Sequence, residues 1–194
     1  RRIVQEGHAI GIHCDVHDYK TLYADVDSYM EDFQKAYDTV YEVTGVEARL
    51  FRFPGGSINA FNKKVSKEII EAMEAKGVVY YDWNASLEDA TGKENSPEKL
   101  VSNAVETAMG RQQVVLLAHD RVTCTADALP ALLDAFPEYR MEPLTVRTEP
   151  VQFWGGRRLF LPVSGRSRRN LPASLGAQRL HHFVHVLFHA RYGF

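Results

Sequence analysis

Apolar residues recur along the chain in two alternating rhythms, short runs and three-to-four-residue steps. Gly7-His8-Ala9-Ile10-Gly11-Ile12 reads as a short buried strand running into His13-Cys14-Asp15-Val16-His17. After a polar turn over 18–24, Tyr29, Met30, Phe33, Ala36, Tyr37, Val40 and Tyr41 fall at helical steps, predicting a helix over 27–44 that Gly45 closes. Residues 49–53 read as a strand that must stop at Pro54-Gly55-Gly56, because proline cannot donate to a ladder. A helix over 60–76 follows, with Val65, Ile69, Ile70 and Met73 on one face and Gly77 at its end. Residues 78–81 form the next predicted strand, closing on Asp82-Trp83-Asn84. Ser96-Pro97 is a cap with proline at the first helical position, opening a helix that runs to about Met109. Val114 to Ala118 is a continuous apolar run, the mark of a parallel strand covered on both faces, and it ends at His119-Asp120. A helix over 126–136 and a weak strand over 144–146 complete the pattern.

Strand and helix alternate about four times, so the expected class is α/β with a parallel sheet. His13, His17, Trp83 and His119 follow the last residue of a predicted strand, and Arg52 is the penultimate residue of another. In parallel α/β folds that edge is where sites are assembled.

Composition changes this picture in one respect. The formal charge of −2 gives no argument for a nucleic-acid partner, but it hides an asymmetry. All 25 acidic residues lie at or before Glu149, while the 45 residues from Pro150 onward carry seven arginines and no lysine. Two domains are therefore expected: 1–154, and an Arg/His-rich acid-free tail over 155–194 that is not part of the first. The tail admits three readings: a basic arm for an anionic polymer or nucleic acid, an accessory metal site if His181, His185 and His189 share a helical face, or sequence not selected with the domain. The last is preferred. No apolar run reaches the roughly 20 residues of a membrane span, and the two cysteines, Cys14 and Cys124, make neither a disulfide framework nor a zinc knuckle. The chain opens on Arg1-Arg2-Ile3 and reads as starting inside a domain.

The chemistry suggested first by residue type is metal binding. Neutral imidazole is the commonest metal ligand, and His13 and His17 are spaced so that both can reach one ion. Beyond that spacing the argument becomes one of resemblance. His13-Cys14-Asp15-Val16-His17 resembles the His-(Ser/Thr)-x-x-His motif of the polysaccharide deacetylases, the carbohydrate esterases with a NodB homology domain. Arg52-Phe53-Pro54-Gly55-Gly56 is similar to their Arg-x-Pro-x-Gly, and Leu117-Ala118-His119-Asp120 to their Leu-x-His. Trp83 to Asp89 resembles a segment that in the family ends in Asp-Trp. The likeness covers about residues 7–153.

The resemblance implies an irregular (β/α) barrel, here incomplete, because the first strand with its Thr-Phe-Asp-Asp-Gly motif belongs upstream of Arg1. It implies a metal-dependent hydrolase that removes N-acetyl groups from N-acetylglucosamine-containing polysaccharide, peptidoglycan or chitin-like. His13 and His17 become ligands of a divalent metal, zinc by preference, and His119 the general acid. Arg52 would orient and charge-stabilise the base, and Asp89 would tune the acid histidine, with Asp82 as the fallback. Pro54, Gly55, Trp83 and Leu117 would line the substrate site. Cys14 stands where Ser or Thr is usual, and Ala90 where the family has a groove tryptophan. Without the upstream aspartates this stretch is expected to be inactive or nearly so. The alternative is a non-catalytic carbohydrate-binding remnant of the same fold. The implied partner is an N-acetylated glycan polymer, with no nucleic acid, and the protein is expected to be a monomer in a secreted or cell-envelope setting.

Overall fold

The computed structural model describes residues 1–92, 95–154 and 182–189. Helices α1 (Arg2–Gln5) and α2 (Tyr19–Leu22) are single turns, and α3 (Val26–Thr44), α4 (Ser66–Ala75), α5 (Pro97–Ala108) and α6 (Thr123–Asp134) are the longer ones. The strands are β1 (Leu50–Phe51), β2 (Val79–Tyr80), β3 (Ala85–Ser86), β4 (Gln113–His119), β5 (Tyr139–Met141) and β6 (His182–His189). Every pairing is parallel: β1 with β2, and a four-stranded sheet in the order β3-β4-β6-β5.

The helix ends follow their capping chemistry. Asp25 accepts from the amide of Ser28 at 2.7 Å to open α3, and Gly45, at φ 72°, closes it with a bond to the Tyr41 carbonyl. Ser96 caps α5 ahead of Pro97. Tyr29, Phe33 and Val40 of α3 bury against Phe51, Phe53 and Tyr80, with Ile69 and Met73 of α4 completing that core. Leu100, Ala104 and Ala108 of α5 pack with Ala128 and Leu132 of α6 on Val114, Leu116 and Ala118 of β4. Leu50, Tyr81, Val115 and Leu144 form a third buried cluster.

The segment from Val79 to Ser86 joins the sheets. Its first residues bond to β1, through Val79 N–H to Arg49 and Tyr81 N–H to Phe51. Asn84 then turns to β4, donating from its backbone to the Val115 carbonyl and accepting from the Val115 amide on its side-chain oxygen at 2.8 Å. One side chain thus satisfies backbone groups that a longer strand would otherwise pair.

Four expectations about the elements change. The opening strand over 7–12 reduces to a single bridge, Ile12 to Phe51, with Ile12 accepting from Arg52 N–H at 3.0 Å. No strand forms over 144–146: the Tyr81 hydroxyl donates to the Thr145 and Thr148 carbonyls, which fixes that stretch as a turn, and the strand lies earlier, at Tyr139–Met141. Helix α4 begins at Ser66 rather than near Ala60, because Asn59 and Asn62 hold residues 56–62 in a side-chain-bonded turn. Residues 182–189 run as a strand between β4 and β5, not as a helix, so a helical face shared by His185 and His189 does not exist. His181, and the 154/155 boundary expected for the tail, border or fall on residues outside the described ones.

An open cavity of about 360 Å³, lined by Phe33, Tyr37, Arg49, Lys76 and Val78 among others, lies where β1 and β2 begin, at the opposite edge from the residues considered next. Among the described residues no helix is long and apolar enough to cross a membrane.

Candidate active site

The first bridge, β1, β2 and β4 all deliver their C-terminal ends to one region. Directly after Ile12 comes His13, whose Nδ1 lies 2.8 Å from the Arg52 carbonyl. A carbonyl can only accept, so Nδ1 carries the proton and the neutral ring presents its lone pair at Nε2, the form in which imidazole binds metals. The His17 ring lies 5.4 Å from that of His13, centroid to centroid, and 5.1 Å from Tyr19. The ligand atoms of His13, Cys14 and His17 lie within 4.8 Å of one another. Among the described residues no carboxylate belongs to this group.

The loop that carries them is held from a distance in sequence. Asp32, on α3, accepts from the amides of Asp15 at 2.8 Å and Val16 at 2.7 Å, one on each carboxylate oxygen. Sequence reasoning missed Asp32: it is one of several acids on the polar face of α3, and no local pattern sets it apart. Asp32→Ala is expected to speed amide exchange at Asp15 and Val16, each bond contributing on the order of 1 kcal/mol of protection. Hydrogen exchange by NMR checks this, and unchanged rates at both amides would contradict the pinning.

Arg52 is buried, with its guanidinium carbon 5.9 Å from the Trp83 ring centroid. Burial lowers its pKa to about 10 against the opposing pull of the Asp82 and Asp89 charges, so it stays cationic at neutral pH. Past it the chain turns through Pro54-Gly55-Gly56. The Pro54 carbonyl accepts from the Tyr23 hydroxyl at 2.7 Å, and both glycines have positive φ, 75° and 84°. A Cβ on Gly56 would lie 2.9 Å from the Phe153 ring and 3.1 Å from that of Trp83. Gly56→Ala therefore combines left-handed backbone strain with a ring clash, and about 2–3 kcal/mol of stability is expected to be lost. Urea unfolding measures this.

The two acids of the next loop separate by what they touch. Asp82 is fully buried and accepts from Ser57 N–H at 2.8 Å, Ser57 Oγ–H at 2.6 Å and Phe153 N–H at 2.7 Å. Burial pushes its carboxyl up, partly offset by those bonds and by Arg52. Asp82 ties the glycine turn to the 151–154 segment and makes no bond to His119. Asp89 does: Oδ1 lies 2.8 Å from His119 Nδ1, and Oδ2 accepts from the His119 amide at 2.6 Å and the Thr125 hydroxyl at 2.8 Å. Burial acts to raise the Asp89 carboxyl, but the bonds from His119 and Thr125 prevail and hold it below the ordinary carboxylate value. Glu88, in front of it, adopts φ 57°, a left-handed turn unusual for a side-chain-bearing residue. Thr125, at the start of α6, was the second residue missed; nothing in Thr123-Cys124-Thr125 marks which hydroxyl turns inward.

The expected substrate-lining residues fall beside these groups. Trp83 is half-buried and meets the Phe153 ring edge-on at 5.0 Å, while the Trp154 indole donates to the Ser57 carbonyl. Leu117, in register with Ser86 on β3, is part-exposed two residues before His119. The structure thus links His13 to Arg52, places Arg52 within the field of Asp82 and Asp89, and binds Asp89 to His119.

Comparison with known proteins identifies the scaffold. The catalytic domain of peptidoglycan N-acetylglucosamine deacetylase from Eubacterium rectale matches with a TM-score of 0.74 at 27% identity, over 78% of this chain and 71% of that one. The architecture is therefore that of the carbohydrate esterases with a NodB-type α/β fold. The sequence model of polysaccharide deacetylases matches residues 1–78, and the chain is similar to that family over that stretch. It is 30% identical over 142 residues to YheN of Bacillus subtilis, itself a polysaccharide deacetylase only by assignment, which covers 71% of this chain and 48% of YheN. It is 26% identical over 161 residues to a peptidoglycan-N-acetylglucosamine deacetylase of Bacillus cereus, covering 79% of this chain and 57% of that protein. The chain spans about half the length of the curated relatives it matches.

Proposed function

We propose that this chain is the metal-binding and acid-bearing part of a polysaccharide N-deacetylase acting on N-acetylglucosamine-containing glycan, peptidoglycan or chitin-like. The observation that carries the reading is the buried Asp89 gripping His119 at both its amide and Nδ1, on the strand-end edge that also bears His13 and Arg52. The irregular (β/α) barrel belongs to the same proposal, as do a monomeric state and a secreted or cell-envelope setting.

His13 and His17 would hold a divalent ion, zinc by preference, and their donor chemistry fits it. Such an ion supplies Lewis-acid polarisation of the acetyl carbonyl and activation of water. The remaining steps fall to the chain's own side chains. With Nδ1 committed to Asp89, His119 presents Nε2 to the departing amine and is the group that gives it a proton. The Gly55 N–H, on a turn opened by positive φ, would donate to the developing oxyanion. Leu117 would take the acetyl methyl and Trp83 a sugar face, while Pro54 fixes the turn. Arg52, cationic and buried, would orient the base carboxylate of the family's upstream motif.

Among the described residues no carboxylate joins the histidine pair, which leaves the proton-accepting role unfilled. The 194-residue chain with added zinc is accordingly expected to release acetate from chitooligosaccharides at close to the uncatalysed rate. The same chain preceded by a Thr-Phe-Asp-Asp-Gly strand is expected to release it readily. Acetate quantified by a coupled assay decides. Failure of the extended chain, with retained glycan binding, would favour the non-catalytic carbohydrate-binding remnant that the missing carboxylate also supports.

A further inference from the structure

The group His13, Cys14 and His17 contains a donor that the family motif lacks. We propose that Cys14 Sγ is a third ligand, so that this chain holds zinc through two imidazoles and one thiolate. The inference rests on the metal-site reading above and deepens it.

Three observations carry it. First, the ligand atoms of the three residues already lie within 4.8 Å of one another. Zinc bonds of about 2.0–2.1 Å to nitrogen and about 2.3 Å to sulfur put tetrahedral ligand pairs roughly 3.3–3.6 Å apart, so modest rotamer closure suffices. Second, Asp32 bonds both amides that follow Cys14, and this turns the loop so that Cys14 and His17 come round to the His13 side. Third, two neutral imidazoles bring no charge to a dication. A thiolate supplies that charge. Cys14 also packs partly against the core of α3 and β1, which holds its side chain near the site instead of leaving it to sweep through solvent.

Ligation needs the thiolate, so the Sγ–H proton passes to solvent as the sulfur pair is given to zinc, with no change of oxidation state. A site of two nitrogens and one sulfur prefers zinc and cobalt over magnesium, calcium or manganese, and it leaves a fourth position open.

Cobalt(II), added to the chain under argon, is the probe. The native chain is expected to show visible ligand-field bands together with a near-ultraviolet thiolate-to-cobalt charge-transfer band. Cys14→Ser and Cys14→Ala should keep visible bands from the histidines, lose the charge-transfer band, and bind zinc at least about tenfold more weakly, the scale seen for outer partners alone. A second measurement needs no Cys14 variant: in Cys124→Ser, saturating zinc should strongly slow reaction of the remaining thiol with an aromatic disulfide reagent. Visible bands without charge transfer, or a thiol that zinc does not protect, would overturn the thiolate ligand while leaving the histidine site intact. No cobalt uptake at all would overturn the metal reading beneath it.

Discussion

Asp89→Ala is expected to cost about 3 kcal/mol of unfolding free energy at neutral pH, the lower end of the range for breaking a buried pair, because His119 is part-exposed. Three donors lose their acceptor at once: the His119 amide, the His119 ring and the Thr125 hydroxyl. The pH dependence gives the prediction its signature. Burial opposes ionisation of Asp89, yet the bonds from His119 and Thr125 outweigh it, so the folded carboxyl titrates below its unfolded value. A group depressed in this way contributes its stability above the unfolded pKa of about 3.9 and loses it as pH falls through the lower folded value. Urea unfolding of both proteins should therefore give a difference that is flat from neutral pH to about pH 5 and shrinks in stronger acid. A difference that persists unchanged into acid would show that the loss is one of packing alone. In the chain extended by the family's first strand, the proposed mechanism has Asp89 act through His119, so Asp89→Ala is expected to lower kcat with little change in KM.

His13→Ala is expected to weaken zinc binding by well over the roughly 10–100-fold that loss of an outer partner costs. The ring ties the loop to the residue after β1 through the Arg52 carbonyl, and in the proposed site it would also present Nε2 to the ion. His17→Ala should have a comparable effect on affinity. His119→Gln should leave zinc affinity nearly unchanged. Competition with a chromophoric chelator ranks the four proteins. Equal zinc affinity in native chain and His13→Ala would remove that histidine from the ligand set.

The sequence made the long elements legible and placed β1 and β2 inside longer predicted strands, 49–53 and 78–81, but left β3 and β5 unread. Helices α3 and α5 carry both an apolar face and a capping residue, and β4 is an unbroken apolar run, so each appeared within a residue or two of its place. Strands β1, β2 and β3 are two residues each, and Ala85–Ser86 has no β-forming side chain to announce it. That strand exists because its backbone pairs with Leu116 and Leu117. Residues 144–146 show the opposite error, an apolar pattern overruled when the Tyr81 hydroxyl takes the carbonyls of a turn. Of the two acids the sequence offered, Asp89 rather than Asp82 lies against His119. Asp32 and Thr125 stayed hidden because each reaches the site from a helix, across 16 or more residues in both cases.

Paramagnetic NMR of the cobalt-loaded chain tests most directly whether separate strand ends converge on one ion. The ring resonances of His119 should shift and broaden on loading, with those of residues around the Lys76 cavity at the opposite edge left sharp. His119 signals that cobalt leaves untouched would place the histidine pair and the acid at different sites, and the proposed active centre would not exist.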